Sequence, residues 1–158
     1  SDERSRKIIN MTETAPQKSL YLFVINLSCY LKEETKEKAV GLILEIDKLD
    51  DGFLRKAVEP FSMLLDNLLS EKKFAAAEIL VEILQAQEKE GKKEWRNLNT
   101  VLSPYFTALR ICKAIPDNPF QALRETERLE ASQRVFVIRF LDSILGKDWI
   151  KDAQKKLN

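Results

Sequence analysis

The sequence predicts an all-α protein built as a stack of antiparallel helices, and three observations support this class. An apolar helical pattern with a proline near its centre, residues 54–68, returns 44 positions later as residues 98–112. Only four glycines are present and 32% of the residues are charged, a composition typical of long helices with solvated outer faces. No hairpin turn follows the one run that resembles a buried strand, residues 20–25. Because such a period in a helical chain is typical of α-solenoids, we predict about seven or eight stacked helices.

The two related stretches share their apolar positions and differ in their outward ones. The equivalent pairs are Leu54 and Leu98, Val58 and Leu102, Pro60 and Pro104, Phe61 and Tyr105, Leu65 and Leu109, and Leu68 and Cys112. On the polar side, Glu59 is replaced by Ser103, and Asp66 is replaced by Arg110. The shared positions therefore specify packing, and we expect function to depend on those that differ.

The first two helices follow a polar lead-in. We interpret residues 1–13 as loosely ordered and residues 14–158 as a single helical-repeat domain, since no long low-complexity linker divides it. Thr14 and Pro16 indicate a helix start, after which apolar residues recur at helical spacing to Leu31. Residues 40–49 predict a second helix, which we expect the turn formers at 50–52 to terminate.

The third helix is the proline-containing stretch, which we expect to extend over residues 53–70. Proline removes one backbone hydrogen bond and crowds the preceding turn, so the sequence leaves two alternatives open. One is a continuous helix kinked at Pro60, and the other is two short helices with a break at Glu59. A fourth helix follows over residues 74–88, with Gly91 placed to end it.

The second half of the chain predicts a fifth helix over residues 94–115, kinked at Pro104. In the loop that follows, Asn118, Pro119 and Gln121 match a helix cap, a first helical position and a capping-box partner. We expect a polar sixth helix over residues 120–130, with Phe120, Leu123 and Leu129 buried. An apolar helix over residues 135–145 then ends at Gly146, and a terminal helix carries Trp149, Ile150 and Leu157.

Residues 58–65 and 73–80 together resemble a HEAT-type repeat. The sequence Val-Glu-Pro-Phe-Ser-Met-Leu-Leu matches its proline-bent first helix, and Lys-Phe-Ala-Ala-Ala-Glu-Ile-Leu matches an alanine-rich second helix. The resemblance covers roughly residues 53–130 and implies a right-handed α-solenoid that binds other macromolecules along one face. The corner aspartate and the arginine usual in this family are matched unevenly, by Asp66 with Lys73 and by Asp117 with Arg124. A tetratricopeptide array and a plain helical bundle are the alternatives.

The composition argues against enzymes and metalloproteins. The chain has no histidine, its glycines are scattered, and its two cysteines, Cys29 and Cys112, lie far apart in sequence. It therefore lacks the usual general base, a phosphate-binding loop and a metal-ligand spacing. We predict a noncatalytic protein with no cofactor and no metal. Since no apolar run could span a membrane, we also expect no membrane partner and an intracellular location, cytoplasmic or nuclear.

The leading functional hypothesis is a protein–protein interaction module, an adaptor or scaffold that could belong to a larger assembly. On the fifth helix, polar residues at steps of three and four form one stripe, which we call the α5 stripe: Arg96, Thr100, Ser103, Thr107 and Arg110. Trp95 lies next to this stripe, and tryptophan beside arginine is typical of interaction hot spots. We predict that these residues bind a protein or peptide partner, with a solvated helix face and a core tryptophan as the alternatives.

Nucleic-acid binding is the second hypothesis. Lys92, Lys93, Trp95 and Arg96 form a local cluster in which bases could stack on an aromatic ring between cations. Three further cations, Arg4, Arg6 and Lys7, precede the first helix. The net charge of +1 gives no global attraction to a polyanion and weighs against this hypothesis.

Overall fold

The computed structural model describes residues 15–46, 51–89 and 93–156, and all regular structure within these ranges is α-helical. The helices are α1 (Ala15–Lys32), α2 (Lys36–Ile46), α3 (Asp51–Ser70), α4 (Phe74–Lys89), α5 (Lys93–Ala114), α6 (Pro119–Glu127), α7 (Ala131–Leu145) and α8 (Trp149–Lys155). The predicted all-α class is confirmed, and the eight helices of the described ranges agree with the predicted number. The lead-in predicted at residues 1–13, together with Gly91 and Leu157, lies outside the described residues.

The helices are arranged in two rows. The odd-numbered helices α1, α3, α5 and α7 pack side by side in that order, and we call them the odd row. In the second row, α2 packs beside α4 and α6 packs beside α8. The most extensive contacts join α5 to α3 and to α4, and α3 also touches α7. α5 therefore lies at the centre of the molecule.

Apolar residues at helical spacing form one core between the two rows. The largest side chains that are fully buried are Leu27, Leu31, Ile43, Phe61, Leu65, Leu68, Leu69, Leu80, Leu84, Trp95, Leu102 and Ile111. Across the α1–α3 contact, the rings of Phe23 and Phe61 meet edge to face, with centroids 5.9 Å apart. Edge-to-face pairs of this kind add to the stabilisation that burial itself provides.

Both internal prolines lie inside continuous helices. Pro60 is part of α3 and Pro104 is part of α5, so the alternative of a break at Glu59 is wrong. Phe61 and Leu65, which follow Pro60, are fully buried against neighbouring helices. Tertiary packing therefore stabilises the helix across the position where proline removes a backbone hydrogen bond.

The corners after α1 and α3 have the same backbone geometry. Glu34 and Lys72 each adopt positive φ, at 58° and 59°. At the second corner, the Lys72 N–H donates to the Leu69 carbonyl and the Lys73 N–H donates to the Leu68 carbonyl. The corresponding pair of bonds forms around Glu34, so both helices end in a Schellman motif with a non-glycine residue in the left-handed position.

The predicted start of α6 is confirmed, and the predicted turn before α3 is wrong. Asn118 caps α6 as expected, since its side-chain oxygen accepts from the Gln121 N–H at 3.2 Å and Pro119 is the first helical residue. The turn formers expected to end the second helix were wrongly assigned, because Asp51 and Gly52 instead begin α3. Aspartate and glycine are compatible with the first turn of a helix as well as with a turn, so the sequence alone did not decide between them.

The expected burial of Phe120 is also wrong. Its side chain is 49% exposed, and the Arg124 guanidinium lies over the ring at 5.4 Å from the centroid. Pro119 and Ala122 are the residues that α6 buries near its start, with Leu123 buried as predicted. Phe120 therefore points away from the core and contacts a cation on the same helix one turn later.

Candidate functional site

The α5 stripe lies on one side of its helix, as the spacing predicted. Arg96, Thr100 and Arg110 are exposed, whereas Ser103 and Thr107 are half-buried. The C-terminal end of the stripe forms an ion pair within the molecule, since Arg110 Nε lies 3.6 Å from Glu125 Oε1 on α6. α5 has 22 residues and α6 has nine, about 33 Å and about 14 Å at the usual rise, so α6 covers only part of α5. Arg110 itself remains exposed, so α6 pairs with the C-terminal end of the stripe without burying it.

Two hydroxyls of the stripe donate to their own helix. Thr100 Oγ1 donates to the Arg96 carbonyl at 2.8 Å, and Ser103 Oγ donates to the Thr100 carbonyl at 2.9 Å. The second bond has a specific meaning, because the Thr100 carbonyl would ordinarily accept from the N–H of residue 104, which is proline. Ser103 thus supplies the donor that Pro104 lacks. The structure gives this residue a role inside the helix, beside the predicted one in partner binding.

Trp95 does not belong to the surface. The side chain is 0% exposed and is the largest of the fully buried residues, so its predicted contribution to a binding stripe or a base-stacking cluster is wrong. Its position on α5 faces the neighbouring helices instead of solvent, because the buried side of α5 begins at its first turn. Of the remaining cluster, Lys93 and Arg96 are exposed, and Lys92 lies outside the described residues.

The tryptophan near the C-terminus is also buried. Trp149 is 4% exposed, and its indole Nε1 donates to Asp142 Oδ1 at 2.8 Å. This bond joins α8 to α7 and uses one carboxylate oxygen of Asp142. Trp149 therefore anchors the last helix.

An aromatic surface groove that the sequence reasoning missed lies on α7. We call it the α7 groove; its volume is about 370 Å³, and it is lined by Ser132, Val135, Phe136, Arg139, Phe140 and Ser143. Val135 is 50% exposed, and Phe136 and Phe140 are half-buried. These residues recur at steps of three and four on the side of α7 opposite to its buried residues, Val137, Leu141 and Ile144.

Two aromatic rings form one wall of the groove, and a third, Tyr105, supports both of them from α5. Tyr105 of α5 meets Phe136 and Phe140 edge to face, with centroids 5.2 Å and 5.7 Å apart. The two phenylalanine rings are parallel, with an interplanar angle of 5° and centroids 6.0 Å apart. Because each ring contacts the other two, the wall is fixed in position before any partner binds.

Tyr105 contacts the lining of the α7 groove, and Arg139 is part of that lining. Burial, and then the nearby Asp66 carboxylate on α3, raise the pKa of Tyr105 above its usual value, so its hydroxyl stays protonated. Arg139 is exposed. Within the described part of the chain, no carboxylate lies within ion-pair distance of its guanidinium.

The sequence did contain a signal for this groove. Residues 135–145 are apolar on nearly all sides, and a helix of this kind is either surrounded by protein or presents an apolar face for contact. The pattern alone could not separate the two cases, since the choice depends on whether another helix covers α7.

A buried polar cluster joins α4 to α5. The Asn99 amide nitrogen donates to the Leu84 carbonyl at 2.9 Å and to Glu88 Oε2 at 3.0 Å. Among the described residues, the side-chain oxygens of Gln87 and Asn99 are buried without a hydrogen-bond partner. No group of three or more histidine, cysteine, aspartate or glutamate side chains in the described ranges is arranged to hold a metal ion. The two hydrogen bonds that Asn99 donates to α4 therefore hold α4 and α5 in one register.

The described helices are all too short or too polar to cross a lipid bilayer. The α5 stripe and the α7 groove are the two surfaces of the described chain that we consider as candidate sites. Tyr105, which contacts the groove residues Phe136 and Phe140, lies on the side of α5 opposite to the stripe. Comparison with family models, with curated proteins and with solved structures finds no match to this chain.

Proposed function

We propose that the protein is a noncatalytic, intracellular interaction module, an adaptor or scaffold that binds a protein or peptide partner across the exposed face of α5 and α7. The observation that carries this proposal is the α7 groove, where preformed aromatic rings remain accessible at the surface. Aromatic side chains with a fixed geometry are typical of the centres of protein interfaces.

The helix arrangement supports the same proposal. Side-by-side packing of α1, α3, α5 and α7 supports a HEAT-like right-handed α-solenoid, whereas the contact between α3 and α7 is one that a regular stack would lack. Such stacks present one row of helices to a partner. In this chain the odd row carries both candidate surfaces.

The nucleic-acid hypothesis loses its main support. Base stacking requires an accessible aromatic ring, and Trp95 is buried. Lys93 and Arg96 remain as two exposed cations of the cluster, and two cations give a weak, salt-sensitive attraction.

Site-specific photocrosslinking tests the proposed function. Benzoylphenylalanine replaces Val135 in the α7 groove or, as a control, exposed Gln85 on α4 of the second row, and the full chain is irradiated in cells that express it. We expect a discrete crosslinked protein from position 135 and none from position 85. Equal labelling at both positions, or none at position 135, would contradict the proposal. An oligonucleotide that is retarded in a gel and released by salt would support the nucleic-acid alternative.

A further inference from the structure

We draw no further inference here: the strongest candidate, the buried polar cluster of Gln87 on α4 and Asn99 on α5, carries none because nothing in the described part of the structure shows that their two unpaired side-chain oxygens face one cavity or a common ligand.

Discussion

Cys112 shows how burial controls the chemistry of a single residue. Its side chain is 3% exposed, and desolvation raises the pKa of the thiol from 9.0 to about 12. The folded state therefore favours the neutral thiol. This preference is fully present below pH 9, and its contribution to stability is lost as the pH rises from 9 towards 12.

Alkylation should reveal this shift. At pH 8 the raised pKa lowers the thiolate fraction of Cys112 about a thousandfold relative to an ordinary cysteine, and burial slows access further. We expect iodoacetamide to label Cys112 in the native protein only through rare opening, as measured by mass spectrometry of its proteolytic peptide. The control is the same reaction in denaturant, where labelling should be fast. Equal rates in the two conditions would contradict the assigned burial.

Individual side chains differ in how far their sequence neighbours decide their role. The cap at Asn118 was predictable, because its partner is the Gln121 N–H three residues away and the motif is local. The burial of Trp95 was not, since the side of α5 that faces the core depends on where α3 and α4 lie. Local hydrogen bonds can be read from spacing, whereas exposure requires the packed structure.

At the scale of one helix, Ser103 of α5 replaces a backbone hydrogen bond that Pro104 cannot donate. The Thr100 carbonyl accepts from Ser103 Oγ at 2.9 Å because the following proline has no N–H to donate. At the position equivalent to Ser103, α3 has Glu59, which is exposed. The two related helices therefore differ in how they compensate their prolines.

A double-mutant cycle tests the compensation. Ser103→Ala should lower the free energy of unfolding by about 1 kcal/mol in the wild type, because the Thr100 carbonyl loses its donor. In a Pro104→Ala background the residue-104 N–H is restored, so the same change should cost only a few tenths of a kcal/mol. Urea unfolding followed by circular dichroism measures both values. Additive effects would show that the hydroxyl does not substitute for the missing N–H.

The corner after α3 predicts a stabilising substitution. Lys72 has a φ of 59°, a conformation that costs a residue with a Cβ about 1 kcal/mol and costs glycine nothing. Lys72→Gly should therefore stabilise the protein by about 0.5 kcal/mol, after the greater freedom of glycine in the unfolded chain is subtracted. The matched control is Ser70→Gly, inside the last turn of α3, which should destabilise the protein by a similar amount. Thermal unfolding of the two variants should shift in opposite directions.

The elements themselves were largely predictable, because periodicity and caps act within one helix. The fourth and fifth helices were expected at residues 74–88 and 94–115 and occur at Phe74–Lys89 and Lys93–Ala114. The start of α3 was missed because Asp51 and Gly52 are compatible both with a turn and with the first turn of a helix. The choice between a turn and a helix start depends on the contacts that the rest of α3 makes with α1 and α5.

At the scale of the molecule, the position of a helix in the row decides what its apolar residues do. α5 has odd-row neighbours on both sides, so most of its apolar residues enter the core, with Val101 as an exposed exception. α7 is comparably apolar but has an uncovered outer face, and there the same residue types form the α7 groove. For this reason the sequence alone could not predict the α7 groove. It arises from the absence of a neighbour over α7 in the described chain, and no residue within the helix encodes that.

The same arrangement predicts an order of local stability. α5 contacts α3, α4, α6 and α7, whereas α8 has seven residues and contacts α6 and α7, and α2 contacts α1 and α4. Since amide protection follows the packed surface that must be opened, hydrogen exchange should be slowest in α3, α4 and α5. It should be fastest in α8 and α2, with exchange rates at least about tenfold higher. Peptide-resolved exchange measured by mass spectrometry tests this order, with a short unstructured peptide as the reference for intrinsic rates. Uniform protection across all helices would contradict it and indicate that the two rows unfold as one unit, held together by contacts such as the one between α3 and α7.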